Sequence, residues 1–142
     1  MDCIFCKIAR NEEKSWTVYE DDFTKAFFDI SVANEGHTLI IPKKHYENIY
    51  DIPEEELHRI ISVAKKLALV YKKALGVSNV QIFHSSGKFA QQDVFHFHLH
   101  LVPRHEGDGI DLSYKSHPEM RDNFDTILAK IKKYIDFSGI AD

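Results

Sequence analysis

The sequence is poor in cysteine and in long apolar runs. Its 142 residues include two cysteines, which are too few to build a disulfide framework. No run of apolar residues approaches the ~18 that a bilayer-spanning helix needs, and no basic segment leads into an apolar run near the first residue. We therefore expect no export signal, no membrane partner and a cytoplasmic location.

An excess of basic residues is also missing. Eighteen lysines and arginines against twenty-two aspartates and glutamates give a formal net charge of −4. Proteins that bind the phosphate backbone of a nucleic acid polymer need a net-basic face. We therefore expect no polymeric nucleic acid partner. The net charge does not exclude a small basic pocket that binds one nucleotide.

Hydrophobic patterning predicts the element order β-β-β-α-β-β-α. Apolar residues at three-and-four spacing predict a long helix between Pro53 and Gly76, and a final amphipathic helix over Phe124–Ile135. Five short runs rich in apolar, β-branched and aromatic residues predict strands: Trp16–Glu20, Thr24–Phe28, His37–Ile41, Val80–Phe83 and Phe97–Val102. This order predicts an α+β fold with a mostly antiparallel five-stranded sheet and one long helix packed on it.

Three histidines alternate with apolar residues around the last predicted strand. Because strand side chains alternate between faces, His96, His98 and His100 are predicted to share one face, with their Cα atoms ~6.6 Å apart. The intervening apolar residues take the face that packs on the core. Since imidazole acts as a nucleophile, acid, base or metal ligand near neutral pH, we interpret the three histidines as a functional cluster.

Two kinds of chemistry fit this cluster. The histidines could hold a zinc ion together with another ligand, or the central one could attack phosphorus while its neighbours transfer protons. The preceding segment 85–93 offers small residues, one lysine, two glutamine amides and backbone N–H groups, which suit a phosphate. Asp93 is the one obvious anionic metal ligand there, so the loop favours phosphoryl chemistry.

The segment His96–Val102 resembles the His-φ-His-φ-His-φ-φ signature of the histidine-triad (HIT) superfamily. Four further blocks resemble its Hint branch, in order and at suitable spacing: Cys3–Ile8, Phe27–Ile30, Gly36–His45 and Val94–His96. The resemblance covers Cys3 to about Arg104, and 107–109 is similar to the tail of bacterial members. It implies a single HIT domain over 1–142, with a core over about 3–104 and a C-terminal extension over about 105–142. It also implies a homodimer whose sheet continues across the two-fold axis.

The resemblance implies a catalytic group of four histidines. His98 would attack the α-phosphorus of a nucleotide and form a covalent nucleotidyl-imidazole, His100 would act as the proton donor, and His37 and His96 would complete the group. The implied activity is hydrolysis of purine nucleoside phosphoramidates or related nucleotidyl compounds, with AMP or GMP derivatives as bound partners. Three alternatives stay open: a dinucleoside polyphosphate hydrolase, a nucleotide-binding regulator with vestigial catalysis, and a zinc hydrolase that uses the triad as ligands.

The resemblance also implies a nucleotide site and a metal site. Asp29 would bind the ribose hydroxyls and four apolar side chains would hold the base. The residues implied in nucleotide binding are Phe5, Ile8, Phe27, Asp29, Ile30, Ser85, Gln92 and Asp93. A structural zinc ion is implied at Cys3, Cys6, His45 and His96, and no cofactor is expected for catalysis.

Two residues depart from the family pattern. Gln91 stands where members usually carry glycine, so we expect a changed phosphate loop. Asp93 replaces the usual serine or threonine, and its charge is expected to repel phosphate leaving groups and to favour amines. Outside the motifs, the histidines interpreted as surface or loop residues are His58, His84, His105 and His117.

Overall fold

A computed structural model describes residues 3–140. The first two and last two residues of the predicted domain lie outside the described residues. The chain divides into two compact units, Met1–Gly109 and Ile110–Asp142, and each is described by itself. The assignment of 1–142 to one domain stays a prediction.

The first unit is built on one sheet of five strands in the order β1-β2-β3-β5-β4. Every neighbouring pair is antiparallel, which confirms the predicted fold class. The strands are β1 (Thr17–Glu20), β2 (Thr24–Phe28), β3 (Thr38–Pro42), β4 (Asn79–Phe83) and β5 (Leu99–Arg104).

Helix α2 (Glu54–Leu75) covers one face of the sheet. Three glutamates occupy its first turn, where they complement the positive end of the helix dipole. Gly76 ends the helix with a φ of 71°, in the left-handed region that glycine adopts without strain. Its apolar side chains pack on the sheet, and burial of one such residue, Ile60, contributes about 1.5–3 kcal/mol. The predicted helix is confirmed at both ends.

A short helix, α1 (Ile4–Ala9), covers part of the opposite face, and the predicted order omits it. The Cys3 thiol accepts a hydrogen bond from the Cys6 N–H at its start. The ammonium group of Lys25 is buried and donates to the Ile8 carbonyl at its end, at 2.7 Å. Six residues are too few for apolar periodicity to show in the sequence. These polar contacts, together with the packing of Phe5 and Ile8 on the sheet, hold the helix in place.

The triad begins before strand β5 does. The prediction of a strand from Phe97 is wrong, because the Phe97 N–H donates to the Tyr46 carbonyl of a loop at 2.7 Å. The predicted alternation nevertheless holds, since Phe97 and Leu101 lie in the core beneath α2. His96 and His98 are thus held on an extended segment that leads into the sheet.

The second unit contains a 3₁₀ segment (Pro118–Asn123), helix α3 (Phe124–Lys132) and a 3₁₀ turn (Phe137–Gly139). Helix α3 starts where the sequence predicts and ends three residues earlier than the predicted Ile135. Across residues 3–140, every helix is too short or too polar to cross a membrane.

Candidate functional site

The structure brings His37, His98 and His100 together on one face of the sheet. His37 lies just before β3 and His100 in β5, and these strands are neighbours. The His37 Nε2 atom lies 3.0 Å from His100 Nδ1, and the rings of His98 and His100 are 5.1 Å apart between centroids. Three of the four predicted catalytic histidines therefore form one contiguous group.

The tautomer of His98 follows from its backbone contact. Its Nδ1 lies 2.8 Å from the His96 carbonyl oxygen, which can only accept, so Nδ1–H donates. In the neutral ring the lone pair is then on Nε2. Asp93 Oδ1 lies 3.5 Å from that Nε2. The arrangement leaves His98 with a nucleophilic nitrogen beside a carboxylate.

The tautomers of His37 and His100 follow in the same way. The Ala33 N–H donates to His37 Nδ1 at 3.1 Å, so the neutral His37 ring carries its proton on Nε2. The His37 Nε2 atom lies 3.0 Å from His100 Nδ1 and 3.4 Å from Asp29 Oδ2, so both are acceptors within reach of its N–H. When His100 Nδ1 accepts this bond, its Nε2 carries a proton. His100 is then equipped as a proton donor.

Burial keeps these rings neutral. It lowers the pKa of His37, although the Asp29 carboxylate acts in the opposite direction. Burial, reinforced by His98 and His37, lowers the pKa of His100 to about 4. Near pH 7 both rings are therefore uncharged in the free protein.

His96 faces a different site. Its Nε2–H donates to the Pro42 carbonyl at 2.9 Å, and burial lowers its pKa to about 4. The other nitrogen, Nδ1, lies 3.3 Å from Cys3 Sγ and 3.2 Å from His45 Nδ1. The described residues that line the cavity beside His98 do not include His96. Its catalytic role stays a prediction, while its ligand role has geometric support.

Four ligand atoms converge at the predicted metal site: Cys3 Sγ, Cys6 Sγ, His45 Nδ1 and His96 Nδ1. Two sulfurs and two neutral imidazole nitrogens are a donor set typical of structural zinc. The Pro42 carbonyl fixes the His96 ring from behind, as carbonyls do for ligating histidines. Burial and the neighbouring Cys3 raise the pKa of the Cys6 thiol, a cost that a bound cation would offset. The residues present fit the ion.

A second set of possible ligands consists of Asp29, His37 and His100. A cation on His37 Nε2 would place the ring proton on Nδ1, facing the Ala33 N–H that donates to it. Two donors would then oppose each other, so the hydrogen bonds favour proton transfer here over metal binding. Among the described residues, His96, His98 and His100 do not converge as one ligand set, which disfavours the zinc hydrolase alternative.

A cavity of about 320 Å³ opens beside His98. Phe5, Ile8 and Phe27 form its apolar wall, and the rings of Phe5 and Phe27 meet edge to face at 5.5 Å. Asp29 and Asp93 contribute carboxylates to the lining, and Ile30 is exposed. The sequence analysis gave no binding role to several other lining residues. Ile4, Phe28, Leu39 and Val94 lie inside the blocks that resemble the family, whereas Trp16 lies outside them.

Two residues predicted to bind nucleotide, Ser85 and Gln92, are not part of this lining. The buried Gln92 amide donates to the carbonyls of Glu47 and Val94 and accepts from the Gly87 N–H. Gln92 thus stabilises the loop through hydrogen bonds to its backbone. Direct contact of Gln92 with a phosphate stays a prediction. Gln91 has a φ of 69°, in the left-handed region that explains why glycine suits this position.

One residue that the sequence analysis set aside as surface or loop, His84, lies in a loop but contacts the triad segment. His84, assigned to the surface or a loop, has a half-buried ring stacked on Phe97 with centroids 4.1 Å apart. Its Nδ1 lies 2.9 Å from the His98 carbonyl oxygen. No motif marks His84, but its place directly after strand β4 is a signal that a model of the sheet could have used.

Comparison with known proteins decides the family. The sequence model of the HIT domain family matches residues 10–107 of this chain. The chain belongs to the histidine-triad (HIT) family. An uncharacterized HIT-like protein of Methanocaldococcus jannaschii is 48% identical over 107 residues, 75% of this chain and 82% of that protein. The adenosine 5′-monophosphoramidase of Saccharomyces cerevisiae is 39% identical over 132 residues, 92% and 78% of the two chains.

Solved structures agree with the HIT assignment. A HIT family protein of Bacillus subtilis has a TM-score of 0.84 at 35% identity, covering 95% of this chain and 98% of that one. A zinc-bound histidine-triad protein of Mycobacterium smegmatis has a TM-score of 0.75 at 32% identity, covering 94% and 97%. The HIT-like fold implied by the sequence is confirmed.

Proposed function

We propose that this HIT protein hydrolyses purine nucleoside phosphoramidates through a covalent nucleotidyl-His98 intermediate. The observation that carries the proposal is the His98 ring, whose Nε2 lone pair is left free by the bond from Nδ1–H to the His96 carbonyl. The apolar cavity lies beside this nitrogen and fits a planar base. Similarity to the yeast phosphoramidase supports the same class of substrate.

The first step transfers the nucleotidyl group to the enzyme. The His98 Nε2 lone pair forms a bond to the α-phosphorus while the bond from phosphorus to the amine nitrogen breaks. The bonding pair leaves with the amine, which takes the proton from His100 Nε2. His100 enters this step as the imidazolium, its second proton taken up with the anionic substrate, and ends it as a neutral ring. The Asp29 carboxylate, which lies in the cavity lining, would accept hydrogen bonds from the ribose hydroxyls.

The second step releases the product. A water molecule attacks the phosphorus, and the bonding pair returns to His98 Nε2. A proton of this water restores the Nε2–H of His100. The products are a nucleoside monophosphate and a free amine, and both histidines regain their starting tautomers.

The test is a quenched single-turnover reaction with an adenosine 5′-phosphoramidate, followed by mass spectrometry of the intact protein. We expect a transient adduct of one AMP in the wild type and none in His98→Ala. His58→Ala, which removes an exposed histidine of α2, is the matched control and keeps the adduct. An adduct that persists in His98→Ala would move the nucleophile elsewhere. Bound nucleotide with neither adduct nor product would favour the regulator alternative.

We also propose that Cys3, Cys6, His45 and His96 hold a structural zinc ion. Their converging ligand atoms support this, as does the zinc-bound relative from Mycobacterium smegmatis. The ion would tie α1 to the segment that carries the triad, while His98 and His100 stay free for catalysis.

A homodimer completes the proposal. Strand β4 has one neighbour, β5, in the sheet of the described residues, and Ile82 on this edge is 41% exposed. An edge strand of this kind can pair with its copy across a two-fold axis. The second protomer would thereby extend the sheet.

A further inference from the structure

We infer that His84 is a positioning residue that holds the backbone of the nucleophile, a role that rests on the function proposed above. It follows the last residue of β4 and is separated from His98 by fourteen positions. Its ring lies flat on Phe97, the residue before His98, at an interplanar angle of 24°. Stacking and one hydrogen bond thus join His84 to two consecutive residues of the triad segment.

The His98 carbonyl lies just beyond the paired part of β5. Pairing with β3 ends at Ile40 and Leu99, and pairing with β4 ends at Phe83 and His100. A backbone carbonyl at such a position still needs a donor when it is buried. The imidazole of His84 supplies that donor at 2.9 Å. A side chain thus takes the place of the backbone N–H that a neighbouring strand would provide.

Ser86 supplies a donor to the other nitrogen of the His84 tautomer that this bond requires. The Ile49 N–H donates to the Ser86 hydroxyl oxygen at 3.0 Å, and the hydroxyl lies 2.5 Å from His84 Nε2. The His98 carbonyl accepts from His84 Nδ1–H, so in the neutral ring Nε2 accepts and the Ser86 hydroxyl donates. Burial lowers the pKa of His84, which agrees with a neutral ring.

The consequence concerns the direction of the His98 lone pair. The bond from Nδ1–H of His98 to the His96 carbonyl orients the ring, and the bond from His84 orients the peptide that carries it. A displacement of about 1 Å at a reacting group can cost up to ~100-fold in rate. His84 therefore acts on the rate of nucleotidyl transfer, with little effect on nucleotide affinity, because it is absent from the cavity lining.

Three variants test this role. His84→Phe keeps a ring to stack on Phe97 and removes both hydrogen bonds. His84→Asn keeps a side-chain N–H near the position of Nδ1, and Ser86→Ala removes the hydroxyl that orients the ring. The readouts are the single-turnover rate of adenylyl-His98 formation, the Kd for AMP and the melting temperature, with His58→Phe as the matched control.

We expect His84→Phe to slow adduct formation by about tenfold or more and to leave the Kd for AMP within about twofold. His84→Asn should recover most of the rate, and Ser86→Ala should give an intermediate rate. Unchanged rates in His84→Phe, or an Asn variant no faster than the Phe variant, would overturn the assignment. If His84→Phe does not fold, the rates of adduct formation in His84→Asn and His84→Ala are compared instead. An Asn variant no faster than the Ala variant would then overturn the assignment. Absence of the adduct in the wild type would instead overturn the proposed function and this role with it.

Discussion

At the residue scale, the chemistry depends on which nitrogen of each histidine carries a proton. Three backbone groups, the carbonyls of His96 and Pro42 and the N–H of Ala33, set the tautomers of His98, His96 and His37. A histidine bound to a carbonyl through one nitrogen presents a lone pair at the other. Similar imidazoles are thereby prepared for three different proposed roles: nucleophile, metal ligand and link in a proton chain.

Asp93 is expected to govern the choice of leaving group. Its carboxylate is 80% exposed and lies 3.5 Å from His98 Nε2, where it would repel an anionic leaving group and attract a cationic amine. Asp93→Ser should raise kcat/KM for a phosphate-leaving substrate by about threefold to fivefold relative to an amine-leaving one, a modest effect because solvent screens the charge. Steady-state rates on both substrates check this, with Asp93→Asn as the uncharged control. Equal changes on the two substrates would contradict the charge argument.

The lowered pKa of His100 predicts a loss of stability in acid. Its folded pKa of about 4 lies below the usual value of 6.5, so below about pH 6.5 the unfolded chain binds the proton more readily. The stabilising contribution is present above pH 6.5 and is lost as the pH falls through 4, by at most about 3 kcal/mol in all. Urea unfolding of the wild type and of His100→Asn at pH 7 and pH 4.5 measures it. Parallel pH dependences in the two proteins would show that His100 contributes nothing.

At the scale of elements, α1 connects the proposed metal site with the proposed nucleotide cavity. Cys6 supplies a ligand atom from this helix, and Phe5 and Ile8 on the same helix line the cavity. Helix α1 has six residues, too few to be stable alone. Its position depends on Lys25, on packing against β2 and β3, and on the proposed zinc ion.

Removal of zinc is expected to loosen this helix without abolishing the chemistry of His98. A strong chelator, or Cys6→Ser, should lower the melting temperature by about 5–10 °C and weaken AMP binding. The adduct at His98 should still form at saturating substrate. Metal analysis and thermal unfolding check this, with the exposed His58→Ser as the control. Loss of all turnover in a folded, nucleotide-bound protein would point to a catalytic metal instead.

At the scale of the whole molecule, the open sheet leaves two edges, β1 and β4. The proposed dimer uses β4, so the particle in solution should have twice the 16.5 kDa mass of the chain. Ile82→Lys should weaken dimerisation by at least about tenfold, because a charged side chain on an edge opposes strand pairing. Tyr19→Lys on β1 is the matched control and should leave the dimer intact. Analytical ultracentrifugation measures both, and a monomeric wild type would refute the proposal.

Local sequence patterns are enough to predict some features of this structure. Alternation of histidine with apolar residues places Phe97 and Leu101 in the core, because the side chains of an extended chain alternate between two faces whether or not the segment is paired in a sheet. Pro53 and Gly76 bound α2 as predicted, because each restricts or permits particular backbone angles. These features need no knowledge of distant residues, and the sequence by itself determined them.

The site depends on contacts between residues far apart in the chain. Cys3 meets His96 across ninety-three positions, and Lys25 holds the end of α1 from β2. The tautomer of His37 depends on one loop N–H, and the support of His98 depends on His84, which no motif marks. Hydrogen bonds of this kind have no period along the chain and form only when the sheet brings their groups together. The sequence determined which chemical groups are present, and the tertiary structure alone decided which nitrogen of each histidine is free to react.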